Sequence, residues 1–220
     1  MQRAAARARI GRLSSPQARR SESPIGMELS AGILIGGASS RMGRPKALLR
    51  AGNAALIERV CAAAGAAAGE TLLIGEPPFE VPQSLRHLPV IPDATPGLGP
   101  IGGLEALLAA RPDRGCLLLA CDMPNVTAGL LSRLADGIGE AEAAVFVTAG
   151  GNVRRAHPCC GLYRGGILPK VRWAIAARRL GMMKLLEGLR VSMIELSEGE
   201  ARGVENWNRP EDAASAGGAL

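Results

Sequence analysis

Short apolar runs alternate with longer segments of helical periodicity along most of the chain. The runs have the length of buried strands and lie at residues 33–35, 71–74, 88–91, 116–121, 143–148 and 191–196. Between them, apolar residues recur every three or four positions, as they do on one face of a helix. Strands and helices that alternate in this way predict an α/β fold with a mostly parallel central sheet and helices on both faces. The run at 116–121 is the most apolar, so we expect it at the centre of the sheet.

One stretch departs from this alternation. Residues 150–152, Gly-Gly-Asn, form a turn signal, and the chain then returns through Pro158 to Tyr163, which predicts a hairpin-like excursion. Elsewhere, residues that can cap a first helical turn mark where helices begin. Asn53 and Thr127 each precede a segment of helical periodicity, and we expect both to be N-caps.

Length and composition fit one globular domain with two tails. The chain has 220 residues, of which 47% are hydrophobic and only 2% aromatic, so the core must be built mainly from Leu, Ile, Val and Ala. Residues 1–26 are rich in Arg and Ser and have no apolar period, which predicts a disordered tail. A transit peptide, or translation that starts at Met27, are the alternatives. We place the domain at residues 27–213 and a flexible tail at 214–220.

The net charge of +6 lies mostly outside the predicted domain. Residues 1–26 contain six arginines and one glutamate, which leaves the domain nearly neutral and argues against a nucleic-acid partner. No apolar run approaches the length of a membrane span, so we expect no membrane partner either. The five cysteines include no C-x-x-C pair, and three of them lie in apolar segments. Together with the lack of a secretory signal, this favours the reducing cytoplasm.

The first apolar run opens into a loop rich in glycine and cations. Residues 36–46 read Gly-Gly-Ala-Ser-Ser-Arg-Met-Gly-Arg-Pro-Lys. Glycine lets backbone N–H groups approach phosphate oxygens closely, and the cations neutralise phosphate charge. The loop is not a Walker A motif, because Gly37 and Gly43 are one residue too far apart and Lys46 does not precede Ser or Thr. A surface turn with solvated arginines is the alternative.

Two carboxylates end later strands of the predicted sheet. Asp93 follows the run at 88–91 and precedes a Gly-rich loop, residues 97–103, that leads into a helix. Asp122 ends the most apolar run, where doubly wound folds bind their ligands. Mg²⁺ is commonly held by one or two carboxylates together with substrate phosphates, and Asp122 suits that role. Solvated aspartates at strand ends are the alternative in both cases.

These segments together resemble the molybdenum cofactor nucleotidyltransferases. The loop resembles the family pattern L-x-G-G-x-S-x-R-M-G-x-x-K, and the positions that match are Leu34, Gly36, Gly37, Ser39, Arg41, Met42, Gly43 and Lys46. The elements at Gly99, Asp122, Pro158–Tyr163 and residues 206–212 are similar to further elements of the family. The resemblance covers about residues 30–212 and implies a Rossmann-like nucleotidyltransferase fold.

The resemblance also implies roles for individual residues. Arg41, Lys46 and Asp122 would be catalytic, and Asp122 would bind Mg²⁺ as the cofactor. Asn206 and Asn208 would bind the acceptor, and His157 is a further candidate for a phosphate contact. The residues that would hold the nucleotide are Leu34, Gly36, Gly37, Ser39, Lys46, Asp93, Gly99 and Asp122.

Within this family, a Gly-Gly pair after the strand is typical of enzymes that use GTP. Gly36 and Gly37 therefore imply transfer of GMP from GTP to the terminal phosphate of molybdenum-bearing molybdopterin, with release of pyrophosphate. Pro45 departs from the pattern, because guanylyltransferases often carry an acidic residue there. A cytidylyltransferase, another phosphorylated acceptor, or a non-catalytic nucleotide-binding regulatory module are the alternatives. Other cofactor-biosynthesis proteins or molybdoenzyme chaperones are the further partners that the resemblance implies.

Overall fold

The computed structural model describes residues 26–36, 45–150 and 153–207. Both predicted tails lie outside these residues, apart from Gly26, and so does most of the glycine- and arginine-rich loop. No helix in the described part of the chain is both long and apolar enough to cross a membrane.

Strands and helices alternate through the described residues. In chain order they are β1 (Leu29–Leu34), β2 (Arg50–Ala51), β3 (Ala54–Ala55), α1 (Leu56–Ala67), β4 (Glu70–Ile74), β5 (Val90–Ile91), α2 (Pro100–Ala110), β6 (Gly115–Ala120), α3 (Ala128–Gly137), β7 (Ala143–Gly150), β8 (Val153–Arg164), α4 (Leu168–Ala176), α5 (Met182–Leu186), β9 (Val191–Glu195) and α6 (Glu198–Ala201).

Seven of the strands form one sheet in the order β5-β4-β1-β6-β8-β7-β9. All neighbouring pairs are parallel except β6–β8 and β7–β8, so β8 alone runs against the other six. The most apolar strand, β6, is the fourth of the seven, as its composition predicts. The predicted α/β fold, with a mostly parallel sheet and a hairpin, is confirmed.

The sheet is buried on both faces because side chains of each strand alternate between two cores. Leu117 and Leu119 of β6 pack into the core beneath α1 and α3, while Cys116 and Leu118 pack into the core beneath α2, α4 and α5. Aliphatic residues and alanine dominate both cores, as composition predicts. The few aromatics are nevertheless used centrally, since Phe146 and Tyr163 are the largest fully buried side chains among the described residues.

The hairpin of β7 and β8 contains an irregularity close to the carboxyl end of β6. Val145 pairs with Gly161, yet its neighbour Phe146 pairs with His157, so residues 158–160 have no partners on β7. A bulge of this kind redirects side chains and is common beside active sites. The buried hydroxyl of Tyr163 donates a hydrogen bond to the carbonyl of Pro158 at 2.7 Å and so holds the bulge in place.

The predicted cap of α1 is wrong. Asn53 lies in the turn between β2 and β3, beside Gly52, whose φ is +65°, and the N-cap is Ala55. The backbone N–H of Ala55 donates to Glu58 Oε2 at 2.7 Å. Because β2 pairs with β3, the helix begins two residues later than predicted. Glu58, and not Asn53, accepts a backbone N–H at its start. Thr127 does cap α3, accepting from the Leu130 N–H at 3.2 Å.

Ion pairs and hydrogen bonds connect neighbouring strands at the amino edge of the sheet. Arg111, at the end of α2, donates to both carboxylate oxygens of Glu70 on β4 at 2.6 Å each. Ser30 of β1 donates to the same carboxylate, and Arg114 lies 3.7 Å from it. These contacts tie β1, β4 and the approach to β6 together at the end of the sheet away from Asp122.

Candidate active site

The carboxyl ends of β1, β4 and β6 meet at one edge of the sheet. Leu34, the last residue of β1, pairs with Ile74 on one side and with Ala120 on the other. The residues that follow, Gly36, Gly75 and Asp122, therefore leave the sheet side by side. This edge is where open parallel sheets bind their ligands.

Gly36 and Gly75 are in direct backbone contact. A Cβ at Gly75 would lie 3.0 Å from both the Cα and the nitrogen of Gly36, and Gly75 has a φ of +95°. A Cβ at Gly36 would in turn lie 3.3 Å from the Gly75 Cα. Only glycine fits this pair of positions, so the chain here presents bare backbone at the start of the glycine- and arginine-rich loop.

Asp93 lies over this glycine pair. Its Oδ2 is 3.6 Å from where a Cβ of Gly36 would be and 3.5 Å from that of Gly75. Burial raises the pKa of the carboxyl, and the negative charge of Glu76 raises it further. Asp93 is thus a half-buried carboxylate beside backbone that can approach a ligand closely.

Asp122 has the clearest signature of an absent partner. Its Oδ1 is buried and has no hydrogen-bond partner among the described residues, a property it shares there only with the Thr71 hydroxyl. Burial raises the pKa of Asp122, and the positive charge of Lys46 opposes that rise. A buried carboxylate oxygen without a donor is costly unless something binds it.

Lys46 opens a single turn of 3-10 helix, Lys46–Leu48, at the far end of the glycine- and arginine-rich loop. Its charge acts on Asp122 and also on the neighbouring Cys121. The structure therefore brings together two of the three residues predicted to be catalytic, although they are far apart in sequence.

The segment that contains Asn206 also reaches Asp122. The backbone N–H of Trp207 donates to the carbonyl of Asp122 at 2.8 Å, and the buried Trp207 ring packs with Ala51 and Leu56. Asn206 is exposed next to this contact. The Trp207 ring thus anchors the predicted acceptor-binding segment against the strand end that carries the carboxylate.

The second glycine-rich loop opens α2. Gly99, with a φ of +71°, is the N-cap of α2, and no side chain caps this helix. The N–H of Gly102 donates to the Gly99 carbonyl at 3.0 Å, and a helix amino terminus of this kind favours negative charge nearby. Close packing fixes the helix on the sheet, because a Cβ at Gly103 would lie 2.3 Å from Leu34 Cδ2. The Leu34 side chain packs against α2, and its backbone pairs with Ile74 and Ala120 in the sheet.

The bulged hairpin forms a wall on the other side of Asp122. Burial raises the pKa of Cys159 to about 11, and the nearby charge of Asp122 contributes to the rise. His157 shares a 2.9 Å hydrogen bond with the Thr148 hydroxyl, and burial together with Arg155 lowers its pKa. At neutral pH the imidazole is therefore neutral and the thiol is protonated.

Sequence analysis missed Arg59. From α1, its Nε donates to the Pro124 carbonyl at 3.0 Å and its Nη1 to the Ala51 carbonyl at 3.3 Å. Arg59 thereby ties the turn after Asp122 to the β2–β3 hairpin. Its one available signal was an arginine that, with Glu58, is one of the two charged residues on a helix of otherwise apolar residues and glycine.

Four predicted site residues, Gly37, Ser39, Arg41 and Asn208, lie outside the described residues. In the described part of the chain, no three His, Cys, Asp or Glu side chains come together as a metal site. Mg²⁺ is usually held in phosphoryl-transfer sites by one or two carboxylates together with substrate phosphates, and Asp122 fits such an arrangement.

Residues 31–193 match the family model described as "MobA-like NTP transferase domain". The chain belongs to this family. The predicted resemblance to the molybdenum cofactor nucleotidyltransferases is thereby confirmed, and the protein is an enzyme of the nucleotidyltransferase class.

Individual proteins similar to this MobA-like chain agree with the assignment. A curated relative from Carboxydothermus hydrogenoformans, named "Probable molybdenum cofactor guanylyltransferase", is 30% identical over 170 residues, covering 77% of this chain and 83% of the relative. The structure of "Molybdopterin-guanine dinucleotide biosynthesis protein A" from Archaeoglobus fulgidus superimposes with a TM-score of 0.67 at 22% identity, covering 85% of this chain and 96% of that one.

The fold is also shared outside this branch. The structure of "4-diphosphocytidyl-2C-methyl-D-erythritolsynthase" from Anaerococcus prevotii superimposes with a TM-score of 0.66 at 12% identity, covering 87% of this chain and 95% of that one. Because the two solved structures fit the MobA-like chain almost equally well, the fold does not discriminate between their substrates.

Proposed function

We propose that this MobA-like enzyme transfers GMP from GTP to the terminal phosphate of molybdenum-bearing molybdopterin and releases pyrophosphate. The observation that carries nucleotidyl transfer is the buried Oδ1 of Asp122, which has no hydrogen-bond partner among the described residues and lies close enough to Lys46 for their charges to interact. The Gly36-Gly37 pair and the printed name of the relative from C. hydrogenoformans support the choice of GTP and of the acceptor.

The residues fit a reaction that needs charge neutralisation more than proton transfer. An oxygen of the acceptor phosphate forms a bond to the α-phosphorus of GTP, and the bond from that phosphorus to the bridging oxygen breaks, so pyrophosphate leaves with the electron pair. Because the attacking oxygen is already anionic, no strong general base is required. The pKa of His157 is lowered and the pKa of the buried Cys159 thiol is raised. Both directions agree with a site that binds its substrates without transferring protons.

Two polyanions must be held in line for this attack. Lys46 would neutralise triphosphate charge, and the Gly36–Gly75 backbone would let the nucleotide approach closely beside Asp93. Asp122 would hold Mg²⁺, which, when bound, withdraws charge from the reacting phosphates. The anchored segment at Asn206 and the bulged hairpin at Pro158 would flank the acceptor.

The deciding experiment supplies the purified chain with Mg²⁺, molybdenum-loaded molybdopterin and, separately, GTP, CTP or ATP. Pyrophosphate release is measured and the product is identified by its mass. We expect the guanine dinucleotide with GTP alone, and no release when the acceptor or the divalent cation is left out.

Each other outcome has a defined meaning. Product with CTP alone would place the chain among cytidylyltransferases and make Pro45 a better guide to the base than Gly36-Gly37. Tight GTP binding without turnover on any phosphorylated acceptor would favour a regulatory module.

A further inference from the structure

Positive charge within the domain is concentrated in one segment. Residues 168–190 contain six basic residues and a single acidic one, so this segment carries a net charge of +5. The rest of residues 27–220 is net acidic. The near-neutral sum of the domain therefore conceals a cationic region, which consists of α4, α5 and the loops beside them.

A groove runs between α4 and α5. It encloses about 610 Å³, which is enough for a few side chains of a binding partner. Ala174, Leu185 and Leu189 form an apolar floor. Lys170, Arg179 and Lys184 contribute positive charge to the same lining, where Lys184 pairs with Glu187 at 2.9 Å and Lys170 pairs with Glu142 at 2.8 Å. The groove thus offers apolar surface with cations around it.

Trp173 is the most exposed large hydrophobic residue of the described chain, with 62% of its surface accessible. It also lines the groove, and the guanidinium of Arg179 lies 5.6 Å from the centre of its ring. Met183 on α5 is 51% exposed. Tryptophan and arginine are the residue types that most often dominate binding energy at protein interfaces.

The groove is separate from the candidate active site. Arg164, at the end of β8, pairs with Gly115, at the start of β6, so α4 begins at the amino edge of the parallel strands. Leu189 precedes the start of β9 at that same edge. Asp122 lies at the opposite, carboxyl edge, and none of the residues that line the groove belongs to the site described above.

We propose that this groove is a docking surface for an acidic peptide segment of a partner protein. An apolar side chain of the segment would lie against Trp173 and Leu185, and flanking carboxylates would face Lys184 and Arg179. Charge complementarity favours this occupant, because the apolar floor suits a hydrophobic anchor and the lining carries three cations against the single carboxylate of Glu187.

The same charges argue against other occupants. A second copy in a two-fold contact would bring two cationic segments together, and the basic residues 1–26 of this chain would likewise be repelled. A nucleobase would compete with Arg179 for the Trp173 ring, and the apolar floor offers nothing to a phosphate backbone.

A displayed library of random peptides about twelve residues long tests the proposal. The library is selected on the wild-type protein and counter-selected on a Trp173→Ala variant. We expect enriched peptides to combine Asp or Glu with Leu, Phe or Ile. Enrichment of basic or uncharged peptides, or none above background, would overturn the proposal.

The protein contains its own reporter for the selected peptides. It has two tryptophans, of which Trp207 is buried and Trp173 exposed, so binding in the groove should shift Trp173 emission to the blue and protect it from acrylamide quenching. We expect Lys184→Glu to weaken binding about tenfold or more, with steep dependence on salt.

Arg86→Glu is the matched control, because it reverses a charge on an exposed arginine outside the groove, and we expect it to leave the affinity unchanged. Circular dichroism and thermal unfolding check that all three variants fold. Equal weakening by both charge reversals would overturn the proposal. So would tighter binding of a single-stranded oligonucleotide than of any peptide, or self-association that Trp173→Ala abolishes.

Discussion

The Asp122 carboxylate has a cost to stability beside its proposed role in function. Its Oδ1 is buried without a partner among the described residues, so burial disfavours the charged form. We expect Asp122→Asn to lower turnover about a hundredfold, the equivalent of ~3 kcal/mol in the transition state. Without Mg²⁺ and nucleotide, the variant should unfold at the same temperature as wild type or at a higher one. Steady-state rates and thermal unfolding measure the two effects.

Asp136→Asn provides the comparison, since Asp136 is exposed on α3 and the same atoms are exchanged. It should change neither turnover nor the unfolding temperature. Normal turnover in Asp122→Asn would remove Asp122 from the catalytic set.

Gly75 is restricted both by its own backbone and by its neighbour. Gly75→Ala would place a methyl group 3.0 Å from two backbone atoms of Gly36, at a φ of +95°. Backbone atoms cannot move aside as a flexible side chain can. We expect a loss of unfolding free energy of about 2 kcal/mol or more, with weaker nucleotide binding. Urea unfolding and nucleotide titration calorimetry measure these losses.

Gly52→Ala separates the effect of backbone strain at a positive φ from the effect of a close backbone contact. Gly52 also has a positive φ, +65°, but a Cβ there would meet no atom within 4 Å. A loss confined to about 1 kcal/mol, with unchanged nucleotide binding, is expected for this variant. If both variants lose equally, the contact between Gly36 and Gly75 has no special importance.

Sequence alone predicted several residues of the candidate site, and the structure brings some of them to one edge of the sheet, but the sequence did not predict how they contact each other. Asp93, Asp122 and the glycines follow apolar runs, and a parallel sheet collects the ends of such runs at one edge. The hydrogen bond from Trp207 to Asp122 and the bonds from Arg59 to Pro124 depend on where distant segments return, which no local pattern records.

Among the elements, the β7–β8 hairpin depends on one buried hydroxyl. Tyr163→Phe would leave the Pro158 carbonyl without its donor and loosen the bulge beside the proposed acceptor site. We expect a loss of about 1–2 kcal/mol of unfolding free energy. The KM for the acceptor should rise more than the KM for the nucleotide, a difference that a purely structural role would not produce.

Ser192→Ala is the control for this variant. Ser192 on β9 also donates from a side-chain hydroxyl to a backbone carbonyl, that of Gly137, at 2.6 Å. Its removal should affect the two KM values equally or not at all. An unchanged ratio of KM values in Tyr163→Phe would assign Tyr163 to packing alone.

Periodicity predicted the strands and helices better than it predicted which strands lie next to each other in the sheet. Six apolar runs became strands, and the turn at residues 150–152 correctly indicated a hairpin. Nothing in the pattern places β8 between β6 and β7, because a hairpin can pair through either of its edges and long-range packing makes the choice. The Asn53 cap failed for a local reason, since a two-residue pairing of β2 with β3 precedes the helix.

At the scale of the whole molecule, Glu70 links three parts of the sheet. Hydrogen bonds from Arg111 hold the pKa of this carboxyl below its usual range, and Ser30 lowers it further. A lowered pKa in the folded state means that the stabilisation is present above the unfolded pKa, about 4.3, and is lost as pH falls through the folded value.

Glu70→Gln should therefore cost about 1.5–3 kcal/mol of unfolding free energy at pH 7 and much less near pH 3. Urea unfolding across this pH range measures the difference. Glu187→Gln, which breaks the exposed pair with Lys184, should cost under about 0.5 kcal/mol at any pH. A pH-independent loss in Glu70→Gln would mean that its charge is not what joins the strands.

The central position of β8 has a consequence for the order in which the molecule assembles. Strands β7 and β8 follow each other closely in the chain and can pair within microseconds, whereas β1 and β6 bring Leu29 to Gly115 across most of the amino-terminal half of the chain. Contacts so distant along the chain form slowly. Because the β6–β8 ladder joins β5-β4-β1-β6 to β8-β7-β9 in the described sheet, we expect two partly folded units to meet last along this ladder, between the end of β6 that leads to Asp122 and the bulged hairpin.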